Sequence, residues 1–186
     1  KLSGDFNPMH IDEVLARRLL FGSPVVHGIN MVLWSLNYWI GLKQRVIELS
    51  QIDIIFLKPL NVDKQASIKY ISLDNKNEKV EISRNGIIIT QINFSWSFSN
   101  KKKYSFIKVT NPRKVKSKII NKNDIKNKSG NLQLYLNSNS LNKQFSDLKK
   151  YFSNLHIAIL LASTRLVGTK CPGMFSIYSQ INLTFD

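Results

Sequence analysis

The sequence has few cysteines, few acidic residues and no long apolar stretch, and each of these shortages excludes some classes of protein. Its single cysteine, Cys171, excludes an intramolecular disulfide framework and a cysteine-based metal cluster, so we predict a reducing, cytoplasmic location. The longest apolar stretch, roughly residues 29–42, is interrupted by polar residues and glycine and is too short to span a bilayer. Residues 1–20 lack the basic and apolar regions of a signal peptide. No membrane partner is therefore predicted.

Acidic residues are also scarce, since 12 Asp and Glu stand against 27 Lys and Arg, for a formal net charge of +15. Residues 99–186 hold 16 of the basic residues and 3 of the acidic ones, with most of the excess between Lys101 and Lys128. Such a segment is either a surface for nucleic acid or an anionic ligand, or a solvated Lys- and Asn-rich loop. Only 6 of the 27 basic residues are Arg, the usual reader of base edges, and no nucleic-acid motif accompanies them. We therefore predict no nucleic-acid partner.

What the chain does contain is enough apolar surface for a core, with 43% hydrophobic residues in 186 positions. A short amphipathic helix is expected at residues 12–20, and the apolar segment 29–42 predicts a helix buried on all sides. Strand-like runs rich in β-branched and aromatic residues follow, and Asn85-Gly86 is a strong hairpin signal. The runs are 50–59, 65–74, 79–83 and 86–98. A buried helix followed by antiparallel strands predicts an α+β domain in which a sheet wraps one long helix.

The second half repeats this pattern weakly. Residues 131–136 and 174–185 alternate like strands, and residues 141–167 are helical in pattern. The glycine pair Gly22 and Gly28 is matched by Gly168 and Gly173, at spacings of six and five. We interpret the two halves as copies of one helix-plus-sheet unit in a chain truncated at both ends. The expected divisions are a first unit at 1–98 that lacks its first strand, a basic linker at 99–130, and an incomplete second unit at 131–186.

The most informative stretch is residues 3–10, which read SGDFNPMH. It places Asp5 and His10 five positions apart across a turn rich in Gly, Asn and Pro. A carboxylate and an imidazole held in this way can converge on one water molecule, as general acid–base hydration requires. The alternative is that Asp5 and Asn7 cap turns or a helix while His10 is a satisfied surface residue. From the residues alone, both interpretations stay open.

This stretch resembles the hydratase 2 signature of MaoC-like enzymes, in which Ser-Gly-Asp-x-Asn-Pro-hydrophobic-His precedes five residues and then Ala or Ser. Every fixed position is matched up to Ala16, and Phe21-Gly22 and residues 26–28 (VHG) are also similar to the family. The resemblance covers about residues 2–98. It implies a hot-dog fold, and residues 162–176 look like the degenerate repeat of double hot-dog members. It further implies hydration or dehydration of 2-enoyl and (R)-3-hydroxyacyl thioesters of coenzyme A or acyl carrier protein.

The resemblance also implies roles for individual residues. Asp5 and His10 would activate the water as the catalytic pair, and Asn7 would order the loop or touch that water. The thioester oxygen would meet the backbone N–H of Gly28, at the helix start where the dipole favours an anion. His27 is a possible substrate-binding residue, the alternative being a hydrogen-bond partner at the start of the helix.

Ser3 is a further possible substrate-binding residue, and three polar residues of the second half are either ligand contacts or surface and packing residues: Ser163, Arg165 and Ser176. The three histidines are scattered without metal-ligand spacing, so no metal and no cofactor are predicted. The expected partner is the acyl thioester, with intramolecular repeat pairing or a homodimer. The alternative function is a catalytically inactive hot-dog module that binds acyl thioesters.

Overall fold

The computed structural model describes residues 2–100, 123, 129–170, 177 and 179–185. Two single-turn helices open the chain, a long helix and four strands follow, and three short helices, a π-helical turn and a last strand complete the described part. The helices are α1 (Pro8–Ile11), α2 (Glu13–Ala16), α3 (Gly28–Lys43), α4 (Ser138–Gln144), α5 (Ser146–Tyr151) and α6 (Asn154–Arg165), and the π-helical turn is Leu166–Lys170. The strands are β1 (Ile47–Phe56), β2 (Ser67–Ser72), β3 (Asn77–Arg84), β4 (Ile87–Phe98) and β5 (Gln180–Thr184).

The sheet confirms the predicted antiparallel arrangement, with strand order β2-β3-β4-β1-β5. Its tightest connection is the β3–β4 turn at Asn85 and Gly86, whose φ angles of 51° and 77° both lie in the left-handed region. Two such residues form the primed turn whose twist matches that of the flanking strands. The fold is α+β, with the long helix α3 against an antiparallel sheet.

The helix α3 supplies most of the core, but it is not buried on all sides as we predicted. Ile29, Leu33 and Trp39 pack inward with at most 2% of their surface exposed. Trp34 and Tyr38, by contrast, are 41% and 59% exposed. These two residues lie four positions apart on one stripe of the helix, where Tyr38 stacks on Tyr70 of β2 at a ring-centroid distance of 6.0 Å but stays partly open to solvent. An apolar composition therefore did not mean burial of every face.

The helix predicted over residues 12–20 is only the single turn α2, and α1 is a further single turn that precedes it. Asp12 separates them with an extended backbone, and its side chain accepts the N–H of Leu15 to cap α2. Asn7 caps α1 in the same way, by accepting the N–H of Met9. Polar side chains that bond nearby backbone groups favour such short capped turns over a longer helix.

The helical pattern predicted at residues 141–167 is divided among α4, α5 and α6. The breaks fall at Phe145 and Phe152, whose backbones leave the helical region. Both side chains are buried, at 8% and 0% exposure. The apolar periodicity continues across the breaks because these rings still enter the core, and this hid the breaks from the sequence pattern.

Helix α5 is held against α3 by a polar contact. The side-chain oxygen of Asn37 accepts the backbone N–H groups of Asp147 and Leu148, at 3.1 and 3.0 Å. These are N–H groups of the first turn of α5, which have no partner inside the helix. A side chain from the first half thus caps a helix of the second half and fixes its position.

The predicted strand at residues 131–136 is wrong, because the described segment 129–137 contains no strand. Its alternation is explained by Leu134 and Leu136, which pack against the core without pairing in a sheet. Of the strand predicted at 174–185, residues 180–184 form β5, which pairs with β1 and so extends the sheet of the first half, while residues 174–176 and 178 lie outside the described residues. Both halves contribute to this sheet, and the interpretation as two repeats stays a prediction.

Much of the predicted basic linker, 99–130, lies outside the described residues, as do Cys171, Gly173 and Ser176. In the described part of the chain, none of the helices is both long and apolar enough to cross a bilayer.

The packing of α3 on the sheet gives a first testable expectation. Trp39 makes edge contacts with Phe94 and Trp96, at ring-centroid distances of 4.8 and 5.3 Å. We expect Trp39→Ala to lower the free energy of unfolding by about 3–5 kcal/mol, through lost burial and the cavity left behind. Trp34→Ala on the same helix is the control and should cost less than about 1 kcal/mol, because that side chain is already half exposed. Urea unfolding of both variants measures the difference, and equal losses would contradict this packing.

Candidate active site

The loop before α1 is built around a buried carboxylate. Gly4 adopts a φ of 74°, a conformation that glycine tolerates best, and turns the chain so that Asp5 points inward with 2% exposure. Ser3 Oγ accepts the N–H of Asp5 at 3.1 Å, and Asp5 Oδ1 accepts the N–H of Asn7 at 2.9 Å. This loop shows the turn-capping roles of Asp5 and Asn7, and its Asp5 carboxylate lies beside His10 and His27.

His10 lies in the single turn α1 and is fixed by one hydrogen bond. Its Nδ1 lies 2.8 Å from the carbonyl oxygen of Val25. Because a carbonyl oxygen only accepts, Nδ1 carries the hydrogen, and Nε2 of the neutral ring keeps its lone pair. This is the protonation state that a general base requires.

His27 lies directly behind His10, and the two imidazoles stack with centroids 3.6 Å apart. His27 Nδ1 is 3.7 Å from Asp5 Oδ2 and is buried without a hydrogen-bond partner among the described residues. It is also the N-cap residue of α3, yet its side chain makes no capping hydrogen bond. The position beside Asp5 favours a role at the site over the predicted alternative of a partner at the helix start.

Burial dominates the protonation of all three groups. It raises the pKa of the Asp5 carboxyl, against the opposing effects of the Asn7 N–H, of His10 and of the Thr164 hydroxyl. Burial also lowers the pKa of His10, against the effects of the Val25 carbonyl and of Asp5. It lowers the pKa of His27 well below its ordinary value, and the neighbouring His10 lowers it further. Both imidazoles are therefore neutral near pH 7.

These side chains border a cavity of about 220 Å³. Asp5, Asn7, His10 and Gly28 line it, whereas Ser3 and His27 stand behind its wall. Most of the remaining wall is apolar, including Phe21, Val25, Met31, Phe56 and Ile177. A mostly apolar cavity with a few converging polar groups is typical of a small-molecule site.

Gly28 is the first residue of α3, so it brings the positive end of the helix dipole to the cavity. A Cβ at this position would lie 2.5 Å from the ring of Phe56, closer than real contacts allow. The absence of a side chain therefore also has a packing reason, independent of any role of the Gly28 N–H.

The second half supplies part of the site through residues other than the candidates predicted there. Thr164 donates its hydroxyl to Asp5 Oδ2 at 3.1 Å, and Gly168 also lines the cavity. Of the candidates proposed in this half, Ser163 bonds the carbonyl of Leu160 within α6, and Arg165 bonds the carbonyl of Gln133. Neither Ser163 nor Arg165 lines the cavity. Thr164, which lies between them in sequence, was missed because no local pattern distinguishes its hydroxyl from theirs.

One ligand atom from each of Asp5, His10 and His27 lies within 4.8 Å of the others. Carboxylate oxygens and imidazole nitrogens are also the donor types that bind divalent metals. Asp5 already accepts a hydrogen bond at each oxygen, from Asn7 and from Thr164, and His10 donates its Nδ1 hydrogen to Val25.

Residues 1–88 match the family model described as the MaoC like domain. In a separate comparison, 29 residues are 55% identical to the peroxisomal hydratase-dehydrogenase-epimerase of Saccharomyces cerevisiae. This stretch is 16% of the chain and spans only 3% of that much longer protein.

Two solved structures are also similar to the chain. One is protein af1124 from Archaeoglobus fulgidus, with 20% identity and a TM-score of 0.43, covering 52% of this chain and 64% of that one. The other is the tesB protein of Mycobacterium avium subs paratuberculosis, with 13% identity and a TM-score of 0.33, covering 47% and 38%.

The long helix against an antiparallel sheet, with a buried carboxylate and imidazole at the helix start, defines a hot-dog domain with a polar site. Residues 1–88, just under half of the chain, are similar to the MaoC-like domains. The resemblance seen in the sequence is thereby confirmed for this part of the chain.

The hydrogen bond from His10 to Val25 gives a second testable expectation. In ¹⁵N spectra of the histidine rings at neutral pH, we expect Nδ1 of His10 to be protonated and Nε2 to be unprotonated. The ring should remain neutral below the ordinary histidine pKa of about 6.5, because burial disfavours its charged form. A protonated Nε2 at neutral pH, or a titration above about 6.5, would contradict the site as described.

Proposed function

We propose that this chain is a hydratase or dehydratase that interconverts 2-enoyl and (R)-3-hydroxyacyl thioesters of coenzyme A or acyl carrier protein. The single observation that carries the proposal is the buried Asp5–His10 pair beside an apolar cavity and the start of α3. The family match of residues 1–88 supports this chemistry in general terms. The acyl thioester is the proposed partner, and neither a metal nor a cofactor takes part.

In the hydration direction, a water molecule lies between Asp5 and His10. Their nearest oxygen and nitrogen atoms are within 4.8 Å, and two such atoms can both reach one water at ordinary hydrogen-bond lengths. The water oxygen bonds to the β-carbon of the enoyl group while His10 Nε2 accepts one of its hydrogens. The α,β double-bond electrons move toward the thioester carbonyl and form an enolate. The proton then passes to the α-carbon, so that one water is added and the pair returns to its first state.

The thioester oxygen becomes negative in the enolate, and the backbone N–H of Gly28 is the proposed donor to it. The first turn of α3 is not capped by the side chain of its N-cap residue, and the helix dipole is positive at this end. Removal of one such donor typically costs about 3–4 kcal/mol of transition-state stabilisation. His27 would support Asp5 from behind the wall, and Ser3 would hold the loop.

Asp5 acts as a carboxylate and His10 as a neutral base in this scheme, which fixes the direction of the pH dependence. Activity requires both groups unprotonated, so it falls as the pH drops through the pKa of either group. The pKa of Asp5 is raised from its ordinary value and that of His10 is lowered from its ordinary value, so the two pKa values approach each other. We therefore expect activity to fall on the acidic side of neutral pH.

The test is a spectrophotometric assay that follows the loss of enoyl-thioester absorbance with crotonyl and longer substrates, and identifies the product enantiomer. We expect Asp5→Asn and His10→Ala each to lower turnover by roughly 10²-fold or more, the scale of a lost acid–base group. Asp63→Asn is the matched control, because Asp63 is exposed and its left-handed backbone, with a φ of 66°, suits Asn as well.

Normal turnover in either site variant would reject the mechanism. If the wild-type chain binds acyl thioesters but turns over none of them, the alternative of an inactive binding module is correct. A product of the opposite configuration would reject the (R) assignment alone.

A further inference from the structure

The two oxygens of Asp5 are held by different halves of the chain. Oδ1 accepts the N–H of Asn7, two residues away in the same loop. Oδ2 accepts the hydroxyl of Thr164, which is 159 residues away on α6. Thr164 is 6% exposed and Asp5 is 2% exposed, so water does not compete freely for this bond. A residue of the same loop therefore holds one oxygen of Asp5, and a residue of the second half holds the other.

A second contact from the same segment meets the same carboxylate. A Cβ on Gly168 would lie 2.5 Å from Asp5 Oδ2 and 2.7 Å from Oδ1, distances that real contacts do not reach. The π-helical turn after α6 thus closes directly onto the carboxylate, and it does so because position 168 has no side chain. This steric contact is independent of the Thr164 hydrogen bond.

The orientation of α6 is set by residues on either side of Thr164. Ser163 bonds the carbonyl of Leu160 in its own helix, while Arg165 stacks over Tyr135 and bonds the carbonyl of Gln133. Arg165 is 4% exposed, so the helix cannot rotate without breaking a buried contact. Of these three consecutive polar residues, Thr164 is the one directed at Asp5.

We propose that Thr164 is a positioning residue, and that the second half uses Thr164 and Gly168 to hold the Asp5 carboxylate in its working orientation and ionised form. The inference rests on the proposed function for its catalytic meaning. The second half is then a required part of the active site, although it carries none of the acid–base pair.

A hydroxyl that donates a hydrogen bond to a buried carboxyl changes the pKa of that carboxyl. Burial favours the neutral acid, and a donated hydrogen bond favours the anion. Without the Thr164 hydroxyl, the pKa of Asp5 rises further above its usual range. The other titratable groups near Asp5 in the described structure are His10 and His27, with Lys58 on the wall of the same cavity. His10 already donates its Nδ1 hydrogen to Val25, and His27 Nδ1 lies 3.7 Å from Asp5 Oδ2, beyond hydrogen-bond distance, so neither imidazole replaces the lost donor.

The main test compares Thr164→Val with Thr164→Ser and Ser163→Ala. Val keeps the shape of Thr but removes the donor, Ser keeps the donor, and Ser163→Ala removes a neighbouring hydroxyl that does not reach Asp5. We expect Thr164→Val to move the acidic limb of the kcat/KM profile to higher pH by about one unit. We expect kcat to fall about tenfold at neutral pH with little change in KM, and the other two variants to retain the wild-type profile.

A ¹³C titration of the Asp5 carboxyl by NMR gives a readout that does not depend on turnover. The same upward shift in Thr164→Val, with none in Thr164→Ser, supports the contact. If the wild type has no hydratase activity yet Asp5 shifts in this way, the proposed function fails while the positioning contact stands. An unchanged Asp5 titration in a folded Thr164→Val protein overturns the inference.

Gly168→Ala provides a second variant that tests the steric contact alone. The added methyl should displace the carboxylate, lower kcat and alter the Asp5 resonance, while the hydroxyl of Thr164 is intact. Gly130→Ala is the matched control, since a Cβ there meets nothing within 4 Å. Wild-type turnover and an unchanged Asp5 resonance in Gly168→Ala would also overturn the inference.

Discussion

Burial of the Asp5 carboxylate is the constraint around which the rest of the site is arranged. A carboxylate removed from water is costly unless hydrogen bonds replace its hydration. The loop supplies one donor, the N–H of Asn7, and it can do so because Gly4 turns the chain with a positive φ. The second donor, Thr164, arrives on a different helix. The site therefore forms only when the loop, the start of α3 and the end of α6 are packed together.

The helix α3 carries out this packing. Its apolar face lies on the sheet, its first residue opens into the cavity, and Asn37 on another face caps α5. Since α5 leads directly into α6, a polar contact on α3 sets the path by which Thr164 reaches Asp5. Stability and site geometry thus depend on the same helix. Damage to the α3–α5 contact is expected to reach the carboxylate through the position of α6, without touching any residue of the acid–base pair.

How much of this was predictable from the sequence depends on how local each feature is. The Asn85-Gly86 turn and the antiparallel strands follow from nearby residues, and the sequence predicted them. The capping roles of Asp5 and Asn7 were one of the two interpretations that the residues left open. The breaks at Phe145 and Phe152 were not predicted, because buried phenylalanines continue an apolar pattern whether or not the helix continues. Thr164 was not predicted either. Its role depends on where α6 is packed, and a threonine between a serine and an arginine carries no signal of its own.

The stacked histidines show how packing can select one protonation state for a whole site. His10 and His27 stack closely in a site whose burial disfavours charge on either ring, and the neighbouring His10 lowers the pKa of His27 further. The hydrogen bond to Val25 then decides which nitrogen of neutral His10 is free. A neutral pair beside an anionic Asp5 leaves one negative charge at the site, and His10, on the wall of the same cavity, keeps an unprotonated Nε2. Proton transfer from a neutral water is feasible in such a site because the base is uncharged beforehand, and the imidazolium that forms lies next to the carboxylate that stabilises it.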